Sequence, residues 1–455
     1  MSKKIDTRNM LLTGNPYKLM ISLSLPAIIG MVVIGLYNFM DAVFVGQMVG
    51  SQAMTAVKIS YPFTLFNSGI STLIGVGSAS VLSRAIGKKD QKTIDKIMGN
   101  LIASVLVLSV LIMALGMIFT KELLSLAGAQ GEIMELAIPY LRIIFVGSIF
   151  VNFAQAANMV MRGEGLLKRA MIIMGTGAVL NIILDPIMIF IMKSNGTGTN
   201  GAAYATVIAQ VVQAAITLWY FLKKSKNVCI HRIAIDGSIL KQVLGVGFSA
   251  MLMQVMQMVQ QTIMYHVAQQ YGGNQWQTIL GAALSLQAFA FIPLWGISQG
   301  FQPAAGTNYG AKKYDRVKKF TKAFVIGSTV LALVFYIPIM CAPAKMLSLF
   351  ITSPEIVSMG AGSLRLFFST YITLGVMIMS ITLFQSIGKG GKAASLTLLR
   401  QIAMFIPLAF ILPKVGGLGV QGIFLAPVIT DIFVLVLSLI MMAKEFNLMK
   451  KEGLK

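Results

Sequence analysis

The chain has 455 residues, 56% of them hydrophobic and only 11% charged, with 37 Lys and Arg against 15 Asp and Glu. Soluble domains carry about 25% charged residues, so this composition, with a mean hydropathy of +0.79, excludes an ordinary soluble enzyme and indicates an integral membrane protein. Two cysteines and two histidines exclude a disulfide framework and a His-rich metal site, and the net charge of +22 does not imply nucleic acid, because the basic residues form no face with interleaved aromatics.

Residues 1–16 form a polar arm, and the apolar run behind it is too long for the core of a cleavable signal. Twelve runs long enough to cross a bilayer, about 20 residues each, follow near 17–45, 55–82, 97–120, 138–161, 170–192, 201–222, 241–266, 279–302, 321–341, 362–386, 395–413 and 419–443. The expected fold is an all-α integral membrane protein with an N-terminal six-helix lobe (17–222), a charged linker (223–240), a C-terminal six-helix lobe (241–443) and a tail (444–455). Most basic residues fall on one face: Lys3, Lys4 and Arg8 in the arm, Arg84, Lys88, Lys89, Lys92 and Lys96 after the second span, and Lys312, Lys313, Arg316, Lys318, Lys319 and Lys322 after the eighth. The positive-inside rule makes that face, and both termini, the cytoplasmic side of a cell membrane.

The two halves echo one another. Gly201-Ala-Ala-Tyr-Ala-Thr206 opens the sixth span and Gly422-Ile-Phe-Leu-Ala-Pro427 the twelfth; Ala85-Ile-Gly87-Lys-Lys-Asp90 follows the second span and Asn308-Tyr-Gly310-Ala-Lys-Lys follows the eighth. Six spans per half is an even number, so the halves sit the same way up and form a parallel repeat, with a substrate site expected between them.

Acidic residues inside spans are few, and such groups are functional candidates. Asp41 on the first span and Asp185 on the fifth lie at similar expected depths, roughly 7–10 Å from the outer ends. Asn181 is one turn deeper than Asp185 at i, i+4 spacing, while Thr206 on the sixth span, Tyr140 on the fourth and Asn38 on the first share the layer. Two carboxylates without a dedicated cation cannot both stay ionised in a dry site, and hard oxygen ligands suit a proton or Na⁺ rather than a transition metal. A bland alternative is that Asp185 caps or cross-links helices. Asp431 on the twelfth span lacks these companions, since Pro427, Ile402 and Ile406 occupy the matching positions; an ion pair with Arg400 and a functional site both stay open. Pro26 and Pro62 interrupt their helices, as static kinks or as bends. On the seventh span Gln254, Gln257 and Gln261 share a face, interleaved with Met253 and Met256; they would line a cavity or glue helices. No nucleotide motif is present, so transport would be driven by an ion gradient.

At these residues the sequence resembles the multidrug and toxic compound extrusion (MATE) family, in particular its DinF-like branch. The carriers of the resemblance are Tyr37-Asn-Phe-Met-Asp41-Ala-Val-Phe-Val-Gly46, Arg162-Gly-Glu-Gly165, Asn181-Ile-Ile-Leu-Asp185-Pro186, Pro293-Leu-Trp-Gly-Ile-Ser-Gln-Gly300 and Asn308-Tyr-Gly310-Ala. The resemblance implies a V-shaped pair of lobes that exports organic cations or amphipathic drugs in exchange for H⁺ or Na⁺. It implies a cation site at Asp41, Asn181, Asp185 and Thr206 with Tyr140 nearby, and a protonation-linked bend at Pro26. Relatives often have Gly-Tyr-Asn-Tyr-Gly where this chain has Gly306-Thr307-Asn308-Tyr309-Gly310, and the seventh span lacks the carboxylate of the other main branch. No cofactor is expected beyond the coupling ion, and the expected state is a monomer in lipid. Competing readings are a flippase for lipid-linked precursors, which would need a cationic lining, a channel, and a membrane-embedded enzyme, for which no Ser–His–Asp or Cys–His set is available inside the spans.

The orientation is open to direct test. Single cysteines at Lys88 and Lys226 should resist a membrane-impermeant thiol reagent on intact cells, whereas one in the segment 195–200 should react; labelling of Lys88→Cys from outside would reverse the assignment.

Overall fold

In hydrocarbon no water is available to the backbone, so each spanning segment must satisfy its own N–H and C=O groups. The computed structural model, which describes residues 7–127, 129–193, 197–225 and 227–453, does so with helices; the side chains of 37–39, 41–43 and 51 lie outside the description. Lys226 and Asn195, used above for the orientation, also lie outside it.

Among the described residues ten helices are long and apolar enough to cross a membrane. One of them, Gly237–Gly310, breaks at Gly273, where φ is +68° and ψ −163°. Only glycine adopts that region without strain, so the element supplies two spans, the seventh and the eighth. Gly131–Val146 and Ser148–Gly163, bent by 51°, together make the fourth. Ten helices, one more from the break and one from the bent pair give the twelve spans expected. The others are Pro16–Met48, Ser51–Lys88, Gln91–Ile118, Leu167–Lys193, Gly198–Trp219, Tyr314–Cys341, Pro354–Phe368 continued by Leu374–Ser386, Gly390–Leu398 continued to Phe405–Ile411, and Gln421–Gly453. Large apolar side chains such as Phe190, Ile118 and Val334 are exposed, as lipid-facing positions should be, while small and polar residues join large apolar ones in the buried contacts. Asn152, for example, donates to both Asn67 Oδ1 and Ser109 Oγ at 3.0 Å.

The chain packs as two compact units, one of residues 29–251 and one that joins the described residues up to Ile28 to those from Leu252 onward. The lobes expected from the repeat divide at the linker; the packing units divide instead inside the first and seventh spans. Pro26 lies two residues before the first of these divisions.

In the unit of residues 29–251, Ile74, Leu82, Ile97, Leu101, Met161 and Phe221 build a core that also takes in Val228 of the linker and Val243 of the seventh span. The seventh span is held by backbone approach: a Cβ on Gly77 would meet Val243 O at 2.1 Å, and one on Gly247 would meet Leu73 O at 1.6 Å. The linker docks on the third span. Asn100 Oδ1 accepts from the Asp236 N–H at 3.2 Å, and Lys96 Nζ lies 2.9 Å from Asp236. Asp236 also accepts from the Ser238 hydroxyl at 2.6 Å and from the N–H groups of Ser238 and Ile239, which caps the seventh span. The Ser238 hydroxyl first, then Lys96, hold its carboxyl well below the usual carboxylate range. A depressed folded pKa means that this contribution is present above the unfolded value and is lost as pH falls through the folded one.

The other unit is packed around rings. Phe301 and Phe324 meet at a tilt of 40° with centroids 5.1 Å apart, and Phe367 meets Phe424 edge-on at 6.2 Å. The Tyr371 hydroxyl donates to Ala290 O at 2.7 Å. Glu445, buried on the twelfth span, pairs with Lys389 and, at 2.6 Å, with Lys392. The short helix Thr7–Thr13 docks here through buried Leu11 and Leu12.

Replacing Gly247 by Ala forces a Cβ into the Leu73 carbonyl, an overpacking of about 1–3 kcal/mol. Gly245 has open space around its Cβ position, so Gly245→Ala should be neutral or gain up to about 1 kcal/mol from helix propensity. Thermal unfolding in detergent should separate the two variants; equal stability would refute the backbone contact.

Candidate functional site

Asp185 and Asn181 are presented by the fifth span, Leu167–Lys193, and Thr206 by the sixth, Gly198–Trp219. The two helices come close because Gly201 has no side chain: a Cβ there would meet Met188 O at 2.6 Å. One turn further along the sixth helix, Thr206 consequently faces Asn181. The Asn181 Nδ2 group donates to Asp185 Oδ1 at 3.3 Å and to Thr206 Oγ1 at 3.2 Å. Asp185 is 0% exposed and Asn181 2%. Asn181 Oδ1 is buried and accepts no hydrogen bond among the described residues, which leaves an oxygen available to a cation beside the carboxylate. Asp185 is eight residues from Lys193, about 12 Å along the helix.

Tyr140 lies one layer outward. It is buried with Val45, Ile144, Ile189, Ala202 and Ala203. Val45 is one turn beyond Asp41, Ile189 one turn beyond Asp185 and Ala202 one turn before Thr206, so this apolar cluster covers the outer side of the polar group. The side chains of Asn38 and Asp41 lie outside the described residues, although their backbone continues the helix Pro16–Met48. Arg142 is exposed, as snorkelling would require.

On the inner side a cavity of about 90 Å³ opens directly from Asn181 and Thr206. It runs from Asn181 to Met174 on one helix and from Thr206 to Gln213 on the other, seven residues or about 10 Å. Gln155, Gln210 and Gln213 supply polar walls, and no basic side chain lines it. Such a volume admits a few waters, which need polar partners of this kind. The glutamines were not singled out from the sequence, although Thr206, Gln210 and Gln213 stand at i, i+4, i+7 and thus on one face. The glutamines that were singled out, Gln254, Gln257 and Gln261, do not line this cavity: Gln257 is exposed, and Gln254, Gln261, Met253 and Met256 are half-buried on the seventh span.

Asp431 is differently placed. Arg400 Nε lies 2.7 Å from Asp431 Oδ1, and the Thr370 hydroxyl donates to Oδ2 at 3.4 Å. Arg400 sits in a π-helical turn, Leu399–Ala403, whose wider winding re-aims side chains relative to an α-helix. The C-terminal half therefore holds a compensated charge pair where the N-terminal half holds a carboxylate with an amide and a hydroxyl.

Twelve spans in two similar halves, with a buried carboxylate and a polar cavity in one of them, are the architecture of a membrane carrier. Comparison makes this specific: residues 26–187 and again 249–411 match the MatE family, a shift of 223 between the two starts, and the chain belongs to that family of multidrug efflux transporters. Among its relatives is the multidrug export protein MepA of Staphylococcus aureus (strain MSSA476), 27% identical over 404 residues and 88% of each chain. Among solved structures, a MATE transporter in a bent conformation superimposes with a TM-score of 0.93 at 27% identity over 100% of both chains. A MOP superfamily transporter from Pyrococcus furiosus Vc1, whose binding pocket is described as reversed in polarity, superimposes at 0.90 with 28% identity, over 97% of this chain and 98% of that one.

Asp431→Asn should lower thermal stability by about 3 kcal/mol, because it leaves the Arg400 guanidinium without its carboxylate in a low-dielectric site. The double replacement Arg400→Met with Asp431→Leu should recover most of the loss. A stable Asp431→Asn protein would show that the pair does not hold the eleventh and twelfth spans together.

Proposed function

We propose that the protein is a secondary antiporter of the cell membrane, of the DinF-like branch, which exports small cationic or amphipathic organic compounds in exchange for H⁺ or Na⁺. The observation that carries this reading is the buried Asp185–Asn181–Thr206 group, with a spare amide oxygen, at the head of a polar cavity. An ionised carboxylate in that setting is tolerated when it binds and releases a cation. Asp185, Asn181 Oδ1 and Thr206 Oγ1 are the proposed ligands, with Asp41 as the second carboxylate and Tyr140 closing the outer side. Pro26 is the proposed bend of the first span. Substrate contact is assigned to the cavity glutamines and, with Asn38, to Gln254, Gln257, Gln261, Met253 and Met256. Both termini face the cytoplasm and the monomer is the working unit. The flippase alternative gains no support from a cavity without basic side chains.

Movement of one proton down a potential of about 100 mV releases about 2.3 kcal/mol, enough for roughly fiftyfold accumulation of a neutral substrate. Asp185→Asn keeps shape and hydrogen bonding but removes the exchangeable charge. It should abolish efflux of a fluorescent organic cation driven by an imposed pH or Na⁺ gradient in vesicles, while unfolding at a temperature equal to or above that of the parent, since neutralisation removes a desolvation cost. Normal efflux by this variant, or failure explained by unfolding alone, would refute the coupling role.

A further inference from the structure

We propose that the basic end of the unit containing residues 252–453 holds an anionic, phosphate-bearing group, in a pocket between the start of the ninth span and the end of the twelfth. The pocket has a volume of about 450 Å³, within the range of roughly 300–1,000 Å³ usual for small-molecule sites. Among the described residues four cations line it, Lys312, Lys313, Arg316 and Lys450, with Met449 as an apolar wall and Asp315 as the acidic member. Beyond the lining, Glu452 is engaged with the Tyr314 hydroxyl. Lining cations therefore exceed lining acids by three. The pocket lies where two spans end, the level at which lipid headgroups sit, and basic pockets between helix ends at that level bind phosphate headgroups.

The internal repeat sharpens the inference. After the second span, Lys89 has φ +59° and donates to Ile86 O at 3.3 Å, and the Asp90 N–H donates to Ala85 O at 2.9 Å. After the eighth span, Lys312 has φ +57° and donates to Tyr309 O at 3.0 Å, and the Lys313 N–H donates to Asn308 O at 2.9 Å. The backbone is the same, with a shift of 223. In the first half, Asp90 then caps the next helix, its carboxylate accepting from the Thr93 N–H at 3.2 Å and the Thr93 hydroxyl at 2.7 Å. In the second half the equivalent N-cap is Lys313, with no side-chain cap. A cation at the positive end of a helix is unfavourable in itself, and here three further cations surround it. Asp315 stands in the first turn of this helix; an anion in the pocket adds to it the negative charge that Asp90 supplies at the N-cap in the other half.

The occupant would also steady the chain's start. Arg316 Nε donates to Asn308 Oδ1 at 3.1 Å, and one terminal nitrogen donates to Leu11 O at 3.2 Å and Gly14 O at 2.7 Å. Lys313 Nζ donates to Leu12 O at 3.2 Å, and Asn308 Nδ2 to Leu11 O at 3.0 Å. The other terminal nitrogen of Arg316 is left for a phosphate oxygen, so an anion there pins the side chain that holds the Thr7–Thr13 helix and with it the start of the first span. This assigns a role to the Asn308-Tyr-Gly310 motif that the cation site does not use.

The full chain in nanodiscs of phosphatidylcholine, with and without phosphatidylglycerol, tests the proposal. Thermal unfolding would be followed together with lipid retained after transfer to detergent, measured by mass spectrometry. Phosphatidylglycerol should raise the unfolding temperature and be retained selectively. The Lys312→Gln, Lys450→Gln double variant, which spares the residues that hold Leu11 and Leu12, should lower that retention about thirtyfold, as loss of two surface contacts to a headgroup would. In pure phosphatidylcholine it should unfold where the parent does. Lys313→Asp, which restores the carboxylate cap of the first half, should abolish the lipid dependence as well. If millimolar inorganic phosphate in phosphatidylcholine alone reproduces the stabilisation, and the double variant loses it, the anion is a soluble phosphate and the site stands. If the double variant retains phosphatidylglycerol as the parent does, or neither anion changes stability, the proposal fails.

Discussion

The constraint on which the structure rests is the absence of water from the bilayer interior. Each backbone polar group must be bonded within its own helix or against a packed neighbour, and each charge must have a reason to be there. The consequences run from large to small. The described chain is helical, many of its large apolar side chains are exposed where lipid would lie, and several of its helices meet through glycine, as at Gly77, Gly201 and Gly247. Within the membrane the same constraint has two different outcomes. Asp431 is neutralised by Arg400 at 2.7 Å. Asp185 instead accepts from the Asn181 amide, which also donates to the Thr206 hydroxyl.

The two halves share a backbone plan but not a charge plan. The first half keeps the oxygen-lined site and caps the helix after its second span with Asp90. The second half replaces the site by a closed ion pair and the cap by Lys313. On the antiport proposed above, such asymmetry would let one half respond to a coupling cation while the other holds its charges fixed. The exchange of segments between packing units adds to this. The first span begins among residues of the second half, and the seventh begins among residues of the first.

Much of this was legible in the sequence for definite reasons. Apolar run length is set by bilayer thickness, so twelve spans could be counted without coordinates. Asn181 and Asp185 could be paired because i, i+4 spacing places them on one face, and Thr206 could be added because the helical rise converts residue number into depth. The proximity of Arg400 to Asp431 was one of two open readings, since depth alone does not fix rotation about a helix axis. The glutamines Gln210 and Gln213 carried a readable i, i+4, i+7 signal beside Thr206, yet Gln254, Gln257 and Gln261 carried the same kind of signal, and periodicity does not say which face meets a cavity.

The sequence by itself determined the class of the molecule, its number of spans, its repeat and the placing of Asn181 and Asp185 on one helix face, because these follow from one-dimensional quantities: hydropathy, spacing and rise per residue. Only the tertiary structure decided which polar faces turn toward one another. The π-turn at Leu399–Ala403 rotates Arg400 toward Asp431. Gly201 draws the sixth span onto the fifth, and Gly177 lines the space beside Asn181. The first and seventh spans change packing partners in mid-helix. Each of these depends on rotation about a helix axis and on contacts between residues far apart in the chain, and neither is encoded in the periodicity of a single segment.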